Sequence, residues 1–156
     1  MNLENRKNNR KLSMLKKILR QQTWAFLITL TYSEAKQYRI RHIQLFIEIL
    51  AAGGISCFYV KELTQNGIPH FHVLINREID KSEISTIWNN IVNEDLEAGT
   101  NLKEIKDQAD MINYILQDFS EYGSTLNLEL LHREAQKLLE EETLNKSCEK
   151  IEEEIR

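Results

Sequence analysis

Two histidines stand at alternate positions in an apolar segment of this sequence, and their spacing suits a metal site. His70 and His72 flank Phe71 in the run "PHFHVLI". Side chains alternate faces along a β-strand, so the two imidazoles point to one face while Phe71 points to the other. At about 7 Å apart along that face, both rings can turn towards one divalent ion. A His-x-His pair is a weak signal by itself, and a third ligand would strengthen it.

Glu62, on the segment before the turn, is the candidate third ligand, and the length of the turn decides whether it reaches the histidines. With a loop of two residues, Glu62 would pair with Phe71 and lie on the wrong face. A three-residue loop, "QNG", with a bulge at Gly67, sets Glu62 opposite His70. We therefore predict the bulged turn. The resulting set of two imidazoles and one carboxylate suits Mn²⁺ or Mg²⁺, and zinc is also compatible with these ligand types.

Tyr114 is the candidate nucleophile. The segment 108–122 reads as a helix closed by Gly123, with an apolar stripe made of Ile112, Ile115, Leu116 and Phe119. At 100° per residue, Tyr114 lies about 150° from that stripe. It shares this polar side with Asp110, Gln117, Asp118 and Glu121. Tyr122 falls at the edge of the stripe, where packing explains it better. A phenol is neutral near pH 7, so Tyr114 needs a base, a cation or a metal at the electrophile.

The remaining elements follow from hydrophobic periodicity and turn residues. Strands are predicted at 24–32, 55–63, 69–76 and, more weakly, 100–106. Helices are predicted at 36–52, stopped by Gly53 and Gly54, and from a cap at Asp80 or Ser82 to about Leu96, near Gly99. The order strand, helix, hairpin, helix, strand, helix predicts an α+β fold. Its centre is an antiparallel sheet of about four to five strands covered by helices, of ferredoxin-like type.

Length and charge predict one domain, residues 23–124, between two unlike terminal segments. Residues 1–22 hold seven basic side chains that can neutralise phosphates: Arg6, Lys7, Arg10, Lys11, Lys16, Lys17 and Arg20. A solvated tail or helix is the alternative interpretation. Residues 125–156 form an acidic, helical extension with an apolar stripe that includes Leu131, Leu138 and Ile151. This helix either pairs with a second copy as a homodimer or folds back on its own domain.

Composition restricts the class of protein further. The two cysteines, Cys57 and Cys148, lie far apart and form neither a zinc motif nor a disulfide framework, which favours a reducing, cytoplasmic setting. No apolar run approaches the roughly 20 residues that span a bilayer, and the N-terminus lacks the apolar region of a signal peptide. We therefore expect an intracellular protein without a membrane partner.

Three segments stand in an order that resembles the motifs of HUH endonucleases. They are "FLITLTY" (26–32), "ELTQNGIPHFHVLI" (62–75) and "MINYILQDF" (111–119). The likeness is strongest to the rolling-circle replication initiator (Rep) proteins of small phages, viruses and plasmids. It implies the HUH endonuclease fold, a divalent ion on His70, His72 and Glu62, and Tyr114 as the nucleophile. The implied reaction cuts single-stranded DNA at a replication origin, forming a 5′-phosphotyrosine link and freeing a 3′-hydroxyl.

The sequence departs from these relatives after the tyrosine. Many of them carry a lysine three or four residues later, or a second tyrosine at the fourth, where this chain has Gln117 and Asp118. The likeness therefore implies a single-tyrosine type with Tyr122 as a secondary candidate. No nucleotide-binding P-loop motif occurs, so a helicase and a polymerase would come from the host or a separate protein. A transposase and a non-catalytic DNA-binding regulator remain alternatives, whereas the motif order disfavours a plasmid relaxase.

Overall fold

The protein is described by a computed structural model over residues 3–93 and 99–155, with the side chains of residues 3–7, 135 and 139 outside the description. The chain forms two compact units. One is Gln22–Leu126, which holds the sheet, and the other combines residues from Met1–Gln21 with residues from Asn127–Arg156. Each unit is described by itself below.

A five-stranded antiparallel sheet is the frame of the larger unit. Its strands are β1 Phe26–Thr31, β2 Cys57–Leu63, β3 Pro69–Ile75, β4 Thr100–Glu104 and β5 Glu121–Ser124. They lie in the order β4-β1-β3-β2-β5, so the histidine strand β3 is at the centre. The predicted α+β class with a central antiparallel sheet is confirmed.

Five α-helices accompany the sheet: α1 Leu3–Arg20, α2 Ile40–Ala52, α3 Lys81–Val92, α4 Gln108–Ile115 and α5 Leu128–Ile155. The glycine stop after α2 is confirmed, because Gly53 caps the helix and Gly54 has a φ of +82°. The start of α2 is later than predicted, since a short 3-10 helix, Ala35–Gln37, comes before it.

Helix α3 begins after Asp80, one of the two predicted caps, but its predicted end near Gly99 is wrong. The helix ends at Val92, and Asn93 follows in the left-handed region with a φ of +56°. Asparagine tolerates that conformation and so acts as a C-terminal stop. The predicted last turn, to Leu96, lies outside the described residues.

The predicted helix 108–122 is wrong in its second half. Helix α4 ends at Ile115, and the chain then returns to the sheet as β5, which pairs with the outer edge of β2. The Ser120 amide donates to the Lys61 carbonyl and the Thr125 amide donates to the Cys57 carbonyl, which extends this pairing at both ends. A strand edge carries unpaired backbone groups, and β5 satisfies those of β2.

Gly123 belongs to this strand and does not cap a helix. It pairs with Tyr59, and a Cβ atom at Gly123 would lie 2.5 Å from the Tyr59 ring, so only glycine fits beneath the ring. Next to it, the Tyr122 ring stacks on Phe58 with 6.1 Å between centroids. The predicted packing role of Tyr122 is therefore confirmed, although on a strand.

The sheet separates an apolar core from a polar site. One face packs against α2 and α3 around the fully buried Phe71, Trp88, Phe46 and Ile28. The other face carries His70, His72 and Glu62 by strand alternation. Phe71 thus anchors the central strand in the core while its two neighbours point away from that core.

The smaller unit consists of α1 and α5, which contact each other. The basic N-terminal segment is a helix with buried Leu15, Ile18 and Leu19, so a solvated tail is the wrong interpretation. Helix α5 leaves apolar side chains exposed near its end, among them Leu144 and Ile155. Its role in a homodimer stays a prediction. Every helix in the described ranges is too short or too polar to cross a bilayer.

Candidate functional site

The turn between β2 and β3 sets the register of the site, and it is the predicted bulged turn. Gly67 has a φ of +74°, its amide donates to the Thr64 carbonyl at 2.9 Å, and the Thr64 amide donates to the Ile68 carbonyl at 3.1 Å. The three residues between these partners form the loop. Glu62 therefore pairs directly with His70, as predicted.

The side chains of Glu62, His70 and His72 form one cluster. The Glu62 Oε2 atom lies 3.2 Å from His72 Nε2 and 3.7 Å from His70 Nε2, and one ligand atom from each residue lies within 4.8 Å of the others. Two ligands at about 2.1 Å from one ion and at right angles lie about 3 Å apart, so small side-chain rotations suffice to surround an ion. The cluster could hold a divalent metal.

Burial prepares His72 for such a role. The side chain is 6% exposed. Burial lowers the pKa of His72, and the nearby Glu62 carboxylate opposes this while His70 adds to it. A metal ligand must be a neutral imidazole with a free lone pair, so a lowered pKa favours the ligating form at neutral pH.

Thr29, on β1, supports His72 from the other side of the ring. Thr29 pairs with His72 across the two strands, and its Oγ1 atom lies 3.2 Å from His72 Nδ1. In the tautomer that binds metal through Nε2, Nδ1–H donates to Thr29 Oγ1. This contact directs Nε2 towards Glu62 and is of the kind that orients metal-binding histidines in proteins.

Tyr114 lies beside the histidine cluster. Helix α4 starts at the cap residue Asp107, whose carboxylate accepts a hydrogen bond from the Asp110 amide at 3.0 Å. Nearly two turns later, the Tyr114 ring lies 5.9 Å from the His72 ring, centroid to centroid, and the side chain is 56% exposed. The phenol is therefore open to a bound molecule and adjacent to a candidate metal ligand.

A cavity of about 790 Å³ connects these features. It is lined by Leu27, Thr29, His72, Asn101, Lys103, Glu104, Lys106, Asp107, Asp110, Met111 and Tyr114. The secondary candidates Gln117 and Asp118 are exposed and follow the end of α4, and neither is among the described residues that line this cavity. Tyr122 pairs with Val60 on the far side of β2 from His72.

Comparison with known proteins places the chain in a family. The model of the replication-associated protein family that is named for ORF2 matches residues 25–123. The chain belongs to this family. Membership indicates a replication-related function, and the Glu62, His70 and His72 cluster fits the HUH-type motif that the sequence resembles.

Other comparisons add little to the replication-associated family. Among curated proteins, none matches the chain. A solved structure with a similar fold is the hypothetical protein ORF119 from Sulfolobus islandicus rod-shaped virus 1, with 18% identity over 69% of this chain and 93% of that chain. Its TM-score of 0.45 is too low to support an argument about function.

The candidate DNA-binding residues of the basic segment lie on α1. Arg10, Lys11, Lys17 and Arg20 are exposed, and Lys16 is half-buried. The side chains of Arg6 and Lys7 lie outside the described part of the chain. A role in DNA binding for this replication-associated protein stays a prediction.

Four residues around the cavity escape the sequence reasoning: Thr29, Asn101, Lys103 and Lys106. Alternation along β1 and β4 puts the first three on one face of a strand each. Only the strand order shows that this face is the histidine face, because β1 lies between β4 and β3.

Proposed function

We propose that this protein cuts single-stranded DNA at a replication origin by attack of Tyr114 on a phosphodiester, and so initiates rolling-circle replication. The observation that carries this proposal is the position of the Tyr114 ring, 5.9 Å from the ring of His72, at a cavity that both residues line. Membership in the replication-associated family supports the biological setting.

The proposed reaction is a transesterification. The Tyr114 oxygen attacks the phosphorus atom, an O–P bond to tyrosine forms, and the bond from phosphorus to the 3′ oxygen breaks. The phenol proton passes to solvent, to which Tyr114 is open, and the departing 3′ oxygen gains a proton and becomes a 3′-hydroxyl. The product is a 5′-phosphotyrosine link, and the reverse reaction joins ends.

Glu62, His70 and His72 would hold the divalent ion for this reaction, Mn²⁺ or Mg²⁺ by their ligand types. When bound, that ion supplies a positive charge that polarises the scissile phosphate and stabilises the charge that develops on it. The protein contributes the fixed orientation of the ligands, through the turn at Gly67 and the contact from Thr29.

Other steps of replication would need separate partners. Unwinding and synthesis would come from a helicase and a polymerase of the host or another protein. The exposed basic side chains of α1 would bind phosphates of flanking DNA without reading sequence.

The test is covalent capture. Wild-type protein is incubated with single-stranded oligonucleotides of mixed sequence, with and without hairpins, in Mn²⁺ or Mg²⁺, and separated under denaturing conditions. The proposal expects a protein–DNA adduct that EDTA abolishes. Binding without any adduct across the library would instead support the non-catalytic regulator.

Replacing Thr29 by valine is expected to weaken Mn²⁺ binding by roughly 10–100-fold, the usual cost of losing a group that orients a metal ligand. Valine keeps the shape of threonine but leaves His72 Nδ1 without the Oγ1 partner that lies 3.2 Å away. The measurement is a Mn²⁺ titration by calorimetry.

Thr29→Ser is the matched control, because serine keeps the hydroxyl and should retain Mn²⁺ affinity. Equal affinities of Thr29→Val and wild type would show that the threonine does not position His72.

A further inference from the structure

The cavity beside Tyr114 contains positive charge that comes from outside the tyrosine helix. Among the described residues that line it, the cations are Lys103 and Lys106, and the carboxylates are Glu104, Asp107 and Asp110. Each phosphate of a DNA strand carries a negative charge. A strand that enters this cavity therefore meets repulsion from the carboxylates and needs the two lysines to offset it.

The register of β4 directs Lys103 to the site. Lys103 pairs with Leu27, and Asn101 pairs with Thr29, which in turn pairs with His72. Directly paired residues share a face of the sheet, and so do residues two apart on one strand. Lys103 thus lies on the histidine face, two strands from His72, on an element with a fixed backbone.

Lys106 lies in a short link that is anchored on both sides. Before it, the Ile105 amide donates to the Ala25 carbonyl at 3.0 Å, which prolongs the pairing of β4 with β1. After it, the Gln108 side chain accepts from the Trp24 amide at 2.9 Å and donates to the Gln22 carbonyl at 2.6 Å. The backbone on either side of Lys106 is therefore tied to the segment that leads into β1.

We propose that Lys103 and Lys106 form a phosphate-binding pair that positions the DNA strand for attack by Tyr114. This inference rests on the proposed function and deepens it. The positions after Tyr114 hold Gln117 and Asp118, so the tyrosine helix supplies no lysine there. The pair on β4 and its following link supplies the cationic charge from the opposite wall of the cavity. Both lysines are positioning residues, and neither forms a bond with the substrate.

The test compares a Lys103→Ala, Lys106→Ala double variant with wild type in two assays. The first measures binding of a single-stranded oligonucleotide at several salt concentrations in EDTA. Each phosphate contact contributes about 0.7 to the slope of log K against log salt for single strands. The double variant is expected to lose about 0.7 of slope per lysine. The second assay measures the rate of adduct formation, which is expected to fall at least about tenfold.

Three controls separate positioning from general damage. Lys103→Arg, Lys106→Arg keeps both charges and should restore most of the salt slope and the adduct rate. Lys81→Ala removes an exposed lysine at the start of α3, on the helix layer that covers the other face, and should behave as wild type. The Mn²⁺ affinity of the double variant should also equal that of wild type, since Glu62, His70 and His72 are unchanged.

The outcomes distinguish this inference from the proposed function. A wild-type salt slope together with a wild-type adduct rate in the alanine double variant would overturn the phosphate-binding pair while the nuclease proposal stands. If wild type forms no adduct but the salt slope falls in the double variant and recovers with arginine, the phosphate-binding pair is supported and the nuclease proposal fails.

Discussion

Replacing Tyr114 by phenylalanine is expected to abolish covalent attachment to DNA while leaving the fold and the metal site intact. The substitution removes only the oxygen that attacks phosphorus, and it keeps the ring that lies 5.9 Å from the His72 ring. Removing a nucleophile lowers the rate to the background level, by a factor on the order of 10³ or more. The measurement is the initial rate of adduct formation with Mn²⁺ and a cleavable oligonucleotide.

Tyr122→Phe is the matched control for this prediction. Tyr122 stacks on Phe58 in β5, so its ring packs in the sheet, and its replacement should leave the adduct rate unchanged. Oligonucleotide binding in EDTA should be the same for both phenylalanine variants and wild type. An adduct that persists in Tyr114→Phe and disappears in Tyr122→Phe would assign the nucleophile to the strand and not to the helix.

Replacing His72 by alanine is expected to eliminate specific binding of Mn²⁺. The variant loses one of three candidate ligands, which costs more than the roughly 10–100-fold of a supporting group. In wild type, Mn²⁺ at about 100 times its Kd should stabilise the fold by about 2.7 kcal/mol. That corresponds to a rise in Tm of roughly 5–11 °C for a chain of this size. The rise should vanish in the variant.

Two further variants make this result interpretable. His70→Ala removes a less buried ligand of the same cluster and should also abolish the Mn²⁺-dependent rise in Tm, even if His72→Ala folds poorly. His132→Ala removes a histidine of the smaller unit, whose Nε2 atom is buried without a hydrogen-bond partner among the described residues. It should keep the full rise. A rise that survives both His70→Ala and His72→Ala would place the metal elsewhere.

The register of the hairpin is the part of the site that could be predicted most sharply from sequence. Strand faces alternate, so adding one residue to a turn changes which side chains share a face. Only the three-residue loop with Gly67 in the left-handed region brings Glu62 opposite His70, and that loop is present. A local rule was sufficient here because both strands are joined by the turn itself.

The end of α4 could not be predicted in the same way. Residues 116–122 continue the helical periodicity, but the edge of β2 offers hydrogen-bond partners that a longer helix would leave unpaired. The strand that forms there spans only Glu121–Ser124 and contains a glycine, so its own composition is a poor strand signal. The fit of Gly123 under the Tyr59 ring depends on a contact between distant parts of the chain.

The supporting residues of the site depend on strand order. Thr29 and Lys103 belong to segments far from the histidines in sequence, and neither matches a motif of known chemistry. They reach the cavity because β1 inserts between β3 and β4, an arrangement that the sequence of either strand does not specify. Tyr114 was predictable because its helix carries a clear apolar stripe that excludes it.

The measurement that tests the central claim most directly is identification of the DNA-linked residue by mass spectrometry. The adduct formed with Mn²⁺ is digested with nuclease and trypsin, and fragment ions must resolve Tyr114 from Tyr122 because the peptide between Lys106 and Arg133 contains both. The account predicts a 5′-phosphorylated nucleotide on Tyr114 and a free 3′-hydroxyl on the released strand. A nucleotide on any other residue, or cleavage that leaves no linked protein, would contradict it.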